Sequence, residues 1–160
     1  MIQILTTGGT IEGVDNNNQD HSEVNVNICQ FLKNANVSFE YKIESLFKKD
    51  SRVIDSKDRK LLVQMIKDSN ESKILITHGT FTMEDTAKYI GKLNLNKTIV
   101  LVGSLVLGSH NNTDAPFNLG YAISSLQHLK PDTYIAMNGQ VFHWKNVYKN
   151  RDTNKFERNE

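Results

Sequence analysis

The run Ile2-Gln3-Ile4-Leu5-Thr6-Thr7-Gly8-Gly9-Thr10 decides how this chain is read. A short apolar stretch stops at paired glycines flanked by threonines. The arrangement returns at Ile74-Leu75-Ile76-Thr77-His78-Gly79-Thr80. Ile74-Leu75-Ile76 and Ile99-Val100-Leu101-Val102 are apolar throughout, as central parallel strands covered on both faces would be. Strands are therefore expected at 2–5, 74–77 and 98–102. A further one is expected at 133–137. Alternation of Val37, Phe39, Tyr41 and Ile43 with polar residues predicts a half-buried strand over 37–43.

Amphipathic segments separate these runs. Asp55 is a natural N-cap with Asp58 in the first turn, ahead of Leu61, Leu62, Met65 and Ile66 on one face. Met83, Ala87 and Ile90 recur at helical spacing after the second Gly–Thr turn. Residues 118–129 carry Leu119, Ala122, Ile123 and Leu126 on one side. Asn138-Gly139 between apolar residues predicts a tight hairpin joining 134–137 to 140–143. Alternating strands and helices specify an α/β sandwich. The Asn/Asp/Gln-rich stretch 14–23 reads as a loop. The polar segment 150–160 is expected to fray.

The bulk properties exclude several classes. The 160 residues suit one domain, which would bury about 70% of its unfolded surface. The expected division is one domain over 1–149 and a polar tail over 150–160. A net charge of +1 with both signs mixed argues against nucleic acid and anionic membrane partners. No apolar run approaches the ~20 residues that span a bilayer. No basic segment precedes an apolar stretch at the N-terminus, so no secretory signal is expected. The single cysteine, Cys29, cannot form an intrachain disulfide and fits a reducing cytosol. It is expected as a small buried apolar side chain.

In an open parallel sheet, ligands bind beyond the carboxyl ends of the strands. The notable polar groups fall there: residues 7–10 after the first strand, Asp50-Ser51-Arg52 after the second, 77–80 after the third. Gly103-Ser104 follows the fourth strand and Lys149 the closing hairpin. A threonine hydroxyl attacks a carbonyl only when a base takes its proton. Lys149 could be that base if burial or neighbouring cations lowered its pKa. Backbone N–H groups beside glycines can stabilise a developing oxyanion. Such parts suit acyl transfer from an amide, although the same turns could be plain strand-to-helix connections capped by Thr. A phosphate-binding turn is a third reading, without G-x-G-x-x-G or a Walker pattern to support it. His21, His78, His110, His128 and His143 are scattered without ligand spacing, so no metal is expected. His78 is expected to shape its turn through hydrogen bonds.

Five segments in order resemble the bacterial-type L-asparaginases: Thr7-Gly8-Gly9-Thr10-Ile11, Asp50-Ser51-Arg52, Thr77-His78-Gly79-Thr80, Thr113-Asp114-Ala115-Pro116-Phe117-Asn118-Leu119 and Val147-Tyr148-Lys149. The resemblance implies a Rossmann-like or flavodoxin-like, mostly parallel open sheet with helices on both faces. It also implies hydrolysis of a small amide without cofactor or metal, in a homodimer or higher homo-oligomer; the cytoplasmic expectation comes from the lone cysteine and the N-terminus. Carried across, Thr10 is the nucleophile, and Thr80 with Lys149 forms a second catalytic set. Ser51 takes the substrate carboxylate, with Gly9, Asp50, Gly79 and Phe81 also lining the site. Backbone amides near Thr80 serve the oxyanion.

The chain departs from the family pattern at four places. It has the length of the short-chain, single-domain members. No tyrosine lies between Thr10 and Glu23, leaving Glu12 or another loop residue as the substitute partner of Thr10. Ala115 replaces a glycine, and Ser104-Leu105-Val106 a more polar stretch. Phe81 stands where the family has an aspartate that binds the substrate ammonium and orients the lysine. A phenyl ring has no acceptor for a cationic donor. Asparagine is therefore in doubt as the substrate, and the alternative is a degenerate domain that binds a ligand or partner.

Overall fold

A computed structural model describes residues 1–14 and 27–159. Its centre is a six-stranded sheet in the order β2-β1-β3-β4-β5-β6, formed by β1 (Ile2–Gly8), β2 (Tyr41–Lys49), β3 (Lys73–Thr77), β4 (Thr98–Val102), β5 (Asp132–Met137) and β6 (Gln140–His143). The first five strands run parallel, and β6 pairs antiparallel with β5. Every residue of β1 and β4 is buried. Since alternate strand residues face opposite sides, both faces of the central sheet are covered. This is the expected α/β class, a mostly parallel sheet with helices.

Local chemistry explains the helices. Helix α2 (Ser56–Asp68) opens with a full capping box: Asp55 accepts from the N–H groups of Lys57 and Asp58, and Asp58 accepts from the N–H of Asp55. It buries Leu62, Val63 and Ile66, whereas Leu61 is exposed, so the buried stripe is rotated from the expected one. Helix α3 (Met83–Gly91) buries Met83, Thr86, Ala87 and Ile90. Helix α4 (Ala115–His128) begins three residues before the expected start. Pro116 sits in its first turn, where the missing N–H would have had no helical partner. Short α1 (Ile28–Asn34), capped by Asn27, carries no periodic signal long enough to predict.

Three expectations are corrected. The second strand covers 41–49 rather than 37–43. It is an edge strand that pairs only with β1, Ile2 opposite Tyr41, so its open side tolerates polar residues to Lys49. Val37 and Phe39 pack against the core from outside it. Cys29 is half-buried, with Sγ 3.9 Å from the Tyr41 hydroxyl. The C-terminal segment does not fray through 157: β7 (Tyr148–Asn150) and β8 (Lys155–Glu157) form an antiparallel hairpin. Phe156, only 2% exposed, lies 6.5 Å from the Phe142 ring and donates its N–H to Asn138 Oδ1. The Asn138-Gly139 turn is as expected, both residues holding positive φ. The 14–23 loop lies almost wholly outside the described residues.

A buried polar chain ties the end of β3 to α2 and α3. Arg59 Nε donates to Thr86 Oγ1 (3.1 Å), Thr86 Oγ1 meets His78 Nε2 (3.0 Å), and His78 Nδ1 meets the Gly79 carbonyl (2.7 Å). A carbonyl only accepts, so Nδ1 carries the proton and Nε2 accepts from the threonine. Burial holds the His78 pKa down, from 6.5 to about 4. The folded protein therefore keeps His78 neutral while the unfolded chain protonates first. Stability should fall as pH drops from about 6.5 toward about 4, with a slope of up to ~1.4 kcal/mol per pH unit. Glu12, whose pKa is raised by burial, gives the opposite slope, losing its contribution as pH rises. Urea titrations of the wild type and His78→Asn across this range isolate the histidine, because both proteins keep Glu12. The substituted protein should show the flatter acid limb.

Candidate functional site

The site begins where β1 and β3 end side by side, Thr6 opposite Thr77 in parallel register. Gly8 and Gly9 turn β1 into a single 3₁₀ turn over Thr10–Glu12. Gly9 has φ 77°, and a Cβ there would collide with the backbone N and Cα of Gly79. The two Gly–Thr turns thus touch backbone to backbone, an approach only glycine allows. Two further strand ends join them. A Cβ on Gly79 would lie 2.7 Å from Ser51 Oγ, and one on Gly103 would lie 2.5 Å from the His78 carbonyl. Segments after β1, β2, β3 and β4 therefore meet at one point.

Polar bonds lock this meeting. Thr7 Oγ1 donates to the Thr77 carbonyl (2.7 Å). The buried Glu12 carboxylate accepts from Gly8 N (2.6 Å) and Thr77 Oγ1 (2.9 Å). Its pKa is raised, chiefly by burial. Glu12 thus braces the two turns from beneath, and its recorded bonds go to Gly8, Thr6 and Thr77 rather than to Thr10. Of the other loop residues up to Glu23, 15–23 lie outside the described residues. Thr10 is half-buried, and its carbonyl accepts from Gly108 N (2.9 Å), which draws the loop after β4 toward it.

The residue after Gly79 is Thr80, whose hydroxyl lies 2.8 Å from Lys149 Nζ. Lys149 is placed by β7, and its N–H donates to Glu84 Oε2 (2.7 Å) in the first turn of α3. Its pKa is lowered, first by burial and then by Arg151. Ser51 is buried: its Oγ accepts from Phe81 N (3.2 Å), and its carbonyl accepts from the Thr82 hydroxyl (2.7 Å). The Phe81 ring is 42% exposed, with the Arg52 guanidinium 4.6 Å and Lys149 Nζ 4.8 Å from its centroid. Because His78 holds the Gly79 carbonyl, the Thr80 N–H of the same trans peptide points the other way. Nothing among the described residues accepts from that N–H.

Of the residues singled out in the sequence, Gly9, Ser51, Gly79, Thr80, Phe81 and Lys149 are linked through direct contacts, and Thr10 adjoins Gly9. Asp50 stands one step back. Its carboxylate accepts from Arg52 N (2.8 Å), Nε (3.0 Å) and Nη2 and caps the following turn. Sequence reasoning missed Glu84, which has no motif, and the organising role of Asp114. The Asp114 carboxylate gathers Leu105 N (3.0 Å), Val106 N (2.9 Å) and Asn118 Nδ2 (2.7 Å), while Asn118 also reaches the Gly103 carbonyl. The Thr113–Leu119 segment was the available signal for it. A cavity of about 320 Å³ lined by Met1, Gln3, Lys42 and Asp68 lies at the opposite, amino-terminal end of β1. It contains none of this chemistry. No helix among the described residues is long and apolar enough to cross a membrane.

Comparison with known proteins meets this geometry from outside. Residues 1–158 match the family described as "Asparaginase, N-terminal". A glutaminase-asparaginase of Acinetobacter glutaminasificans is 29% identical over 92% of this chain and 49% of its own length. A protein described as a probable periplasmic L-asparaginase of Haemophilus influenzae is 29% identical over 95% and 47%. The thermostable L-asparaginase from Thermococcus kodakarensis superposes with a TM-score of 0.81 at 26% identity, over 98% of this chain and 50% of that one. The chain spans about half the length of the curated relatives it matches. With the family match running nearly end to end, this chain belongs to the asparaginase family, in the part of it described as N-terminal.

Proposed function

We propose that this chain is an amidohydrolase that uses Thr10 as nucleophile on a small carboxamide. The observation that carries the reading is the 2.8 Å pair of Thr80 Oγ1 and Lys149 Nζ, placed beside the touching Gly9 and Gly79 turns. The Thr10 hydroxyl attacks the amide carbon and the new C–O bond forms as the C=O becomes an oxyanion. The Thr80 N–H, directed away from His78, is the donor placed to receive it. Lys149, its pKa lowered by burial, takes the hydroxyl proton with Thr80 as relay. The proton passes to the leaving nitrogen, the C–N bond breaks and ammonia departs. A water activated by the same pair then hydrolyses the threonine ester. The homo-oligomeric assembly expected from the resemblance, and the cytoplasmic setting expected from the sequence, belong to the same proposal.

Phe81 bears on the substrate. It offers no acceptor to an α-ammonium, and an unpaired ammonium in a partly dry site costs several kcal/mol. Asparagine is therefore a poor fit. The same ring favours a second reading, a domain that binds a ligand or partner without turnover, because it is exposed beside the lysine that catalysis needs. Ammonia release from asparagine, glutamine and simple monoamides separates the two. Under the first reading Thr10→Ala removes turnover, and Lys149→Met lowers kcat by about 10²–10⁴ with folding intact. Release no greater than that of Thr10→Ala on every amide tested would overturn the first reading and leave the second.

A further inference from the structure

Phe81 decides the charge of what the rim admits. Its N–H donates to Ser51 Oγ, so the serine oxygen is already accepting and its own proton is free to be given. The ring holds a guanidinium at 4.6 Å and an ammonium at 4.8 Å. Both lie within the ~6 Å over which a cation is attracted to an aromatic face. Arg52 is charged at every accessible pH, and Lys149 is cationic or neutral, with Arg151 adding positive potential. The nearby carboxylates are engaged: Asp50 with Arg52, Glu84 with Lys149 N–H, and Glu12 with Gly8 and Thr77 beneath the turns. The rim thus presents the Ser51 hydroxyl as a donor and two cations on the ring, Arg52 offset by its ion pair with Asp50, and each of these carboxylates already accepts from a protein donor.

An incoming ammonium would have to displace one of these cations from the ring and stand within a few ångströms of both. A carboxylate faces no such displacement and finds the Ser51 hydroxyl to donate to it. We propose that the site takes the monoamide of a short dicarboxylic acid that carries no amino group. Its free carboxylate is held by the Ser51 hydroxyl beside Arg52, and its carboxamide is directed to Thr10, Thr80 and Lys149. Phe81 is then the specificity-determining residue. The catalytic part rests on the amidohydrolase reading; the choice of ligand charge does not.

Calorimetric titration of the 160-residue chain with succinate and with L-aspartate tests the choice directly, since the two differ by one ammonium group. Succinate should bind at least tenfold tighter. Equal or tighter binding of aspartate, or no binding of either at tens of millimolar, overturns the proposal. Phe81→Asp supplies an acceptor and should reverse the preference, and an unchanged preference in that folded variant also counts against it. Phe81→Leu, which supplies none, should keep succinate ahead. Ammonia assays keep the two readings apart. Succinate binding without hydrolysis of succinamate leaves the ligand class standing and removes the catalytic reading. Faster hydrolysis of asparagine than of succinamate does the reverse.

Discussion

The backbone contact between Gly9 and Gly79 is the constraint on which the rest of this molecule depends. Parallel pairing of β1 with β3 delivers two chain ends to the same edge of the sheet, but pairing alone would leave side chains between them. With no Cβ at either glycine, the turns close directly on each other, and the residues that follow, Thr10 and Thr80, leave the sheet from neighbouring points. Ser51 and Gly103 close on the same spot from β2 and β4. The hydroxyls are therefore held by steric contact among four strand ends, which does not weaken with salt or pH as an ionic lock would.

Beneath this contact the polar groups are matched rather than merely tolerated. No buried side-chain nitrogen or oxygen among the described residues lacks a partner. Glu12 joins the two turns, and the Arg59–Thr86–His78 chain fixes the second turn to its helices. Two of the buried titratable groups are pushed by burial toward their neutral forms, Glu12 upward and His78 downward. The remaining charges at the rim are the Arg52–Asp50 pair and the neighbouring Lys149 and Arg151.

Legibility in the sequence followed locality. Strands β1, β3 and β4 were readable because both faces are buried and every residue is constrained. The capping box of α2 was readable because Asp55 and Asp58 interact across one turn. Edge strand β2 was misplaced because its open side imposes no pattern, so the alternation at Val37 and Phe39 reported core contact rather than strand pairing. The C-terminal hairpin was missed because a contact distant in sequence, Phe156 against Phe142, holds it. At the site, the glycines and threonines announced themselves through spacing and resemblance. The stack of Arg52, Phe81 and Lys149 did not, since it exists only once segments from β2, β3 and β7 converge.

That stack also couples selectivity to the state of the lysine. A carboxylate at position 81 would both receive an ammonium and hold Lys149 charged. A phenyl ring attracts the ammonium of Lys149 by only about 0.5–2 kcal/mol, while removing the same ammonium from water costs several kcal/mol. Burial therefore outweighs the ring, in keeping with the lowered pKa of Lys149. On the proposed reading, excluding an external cation and favouring a neutral internal base both follow from the phenyl ring at position 81. Such a site would give up recognition of an amino acid and gain a lysine closer to the protonation state in which it can accept a proton from threonine.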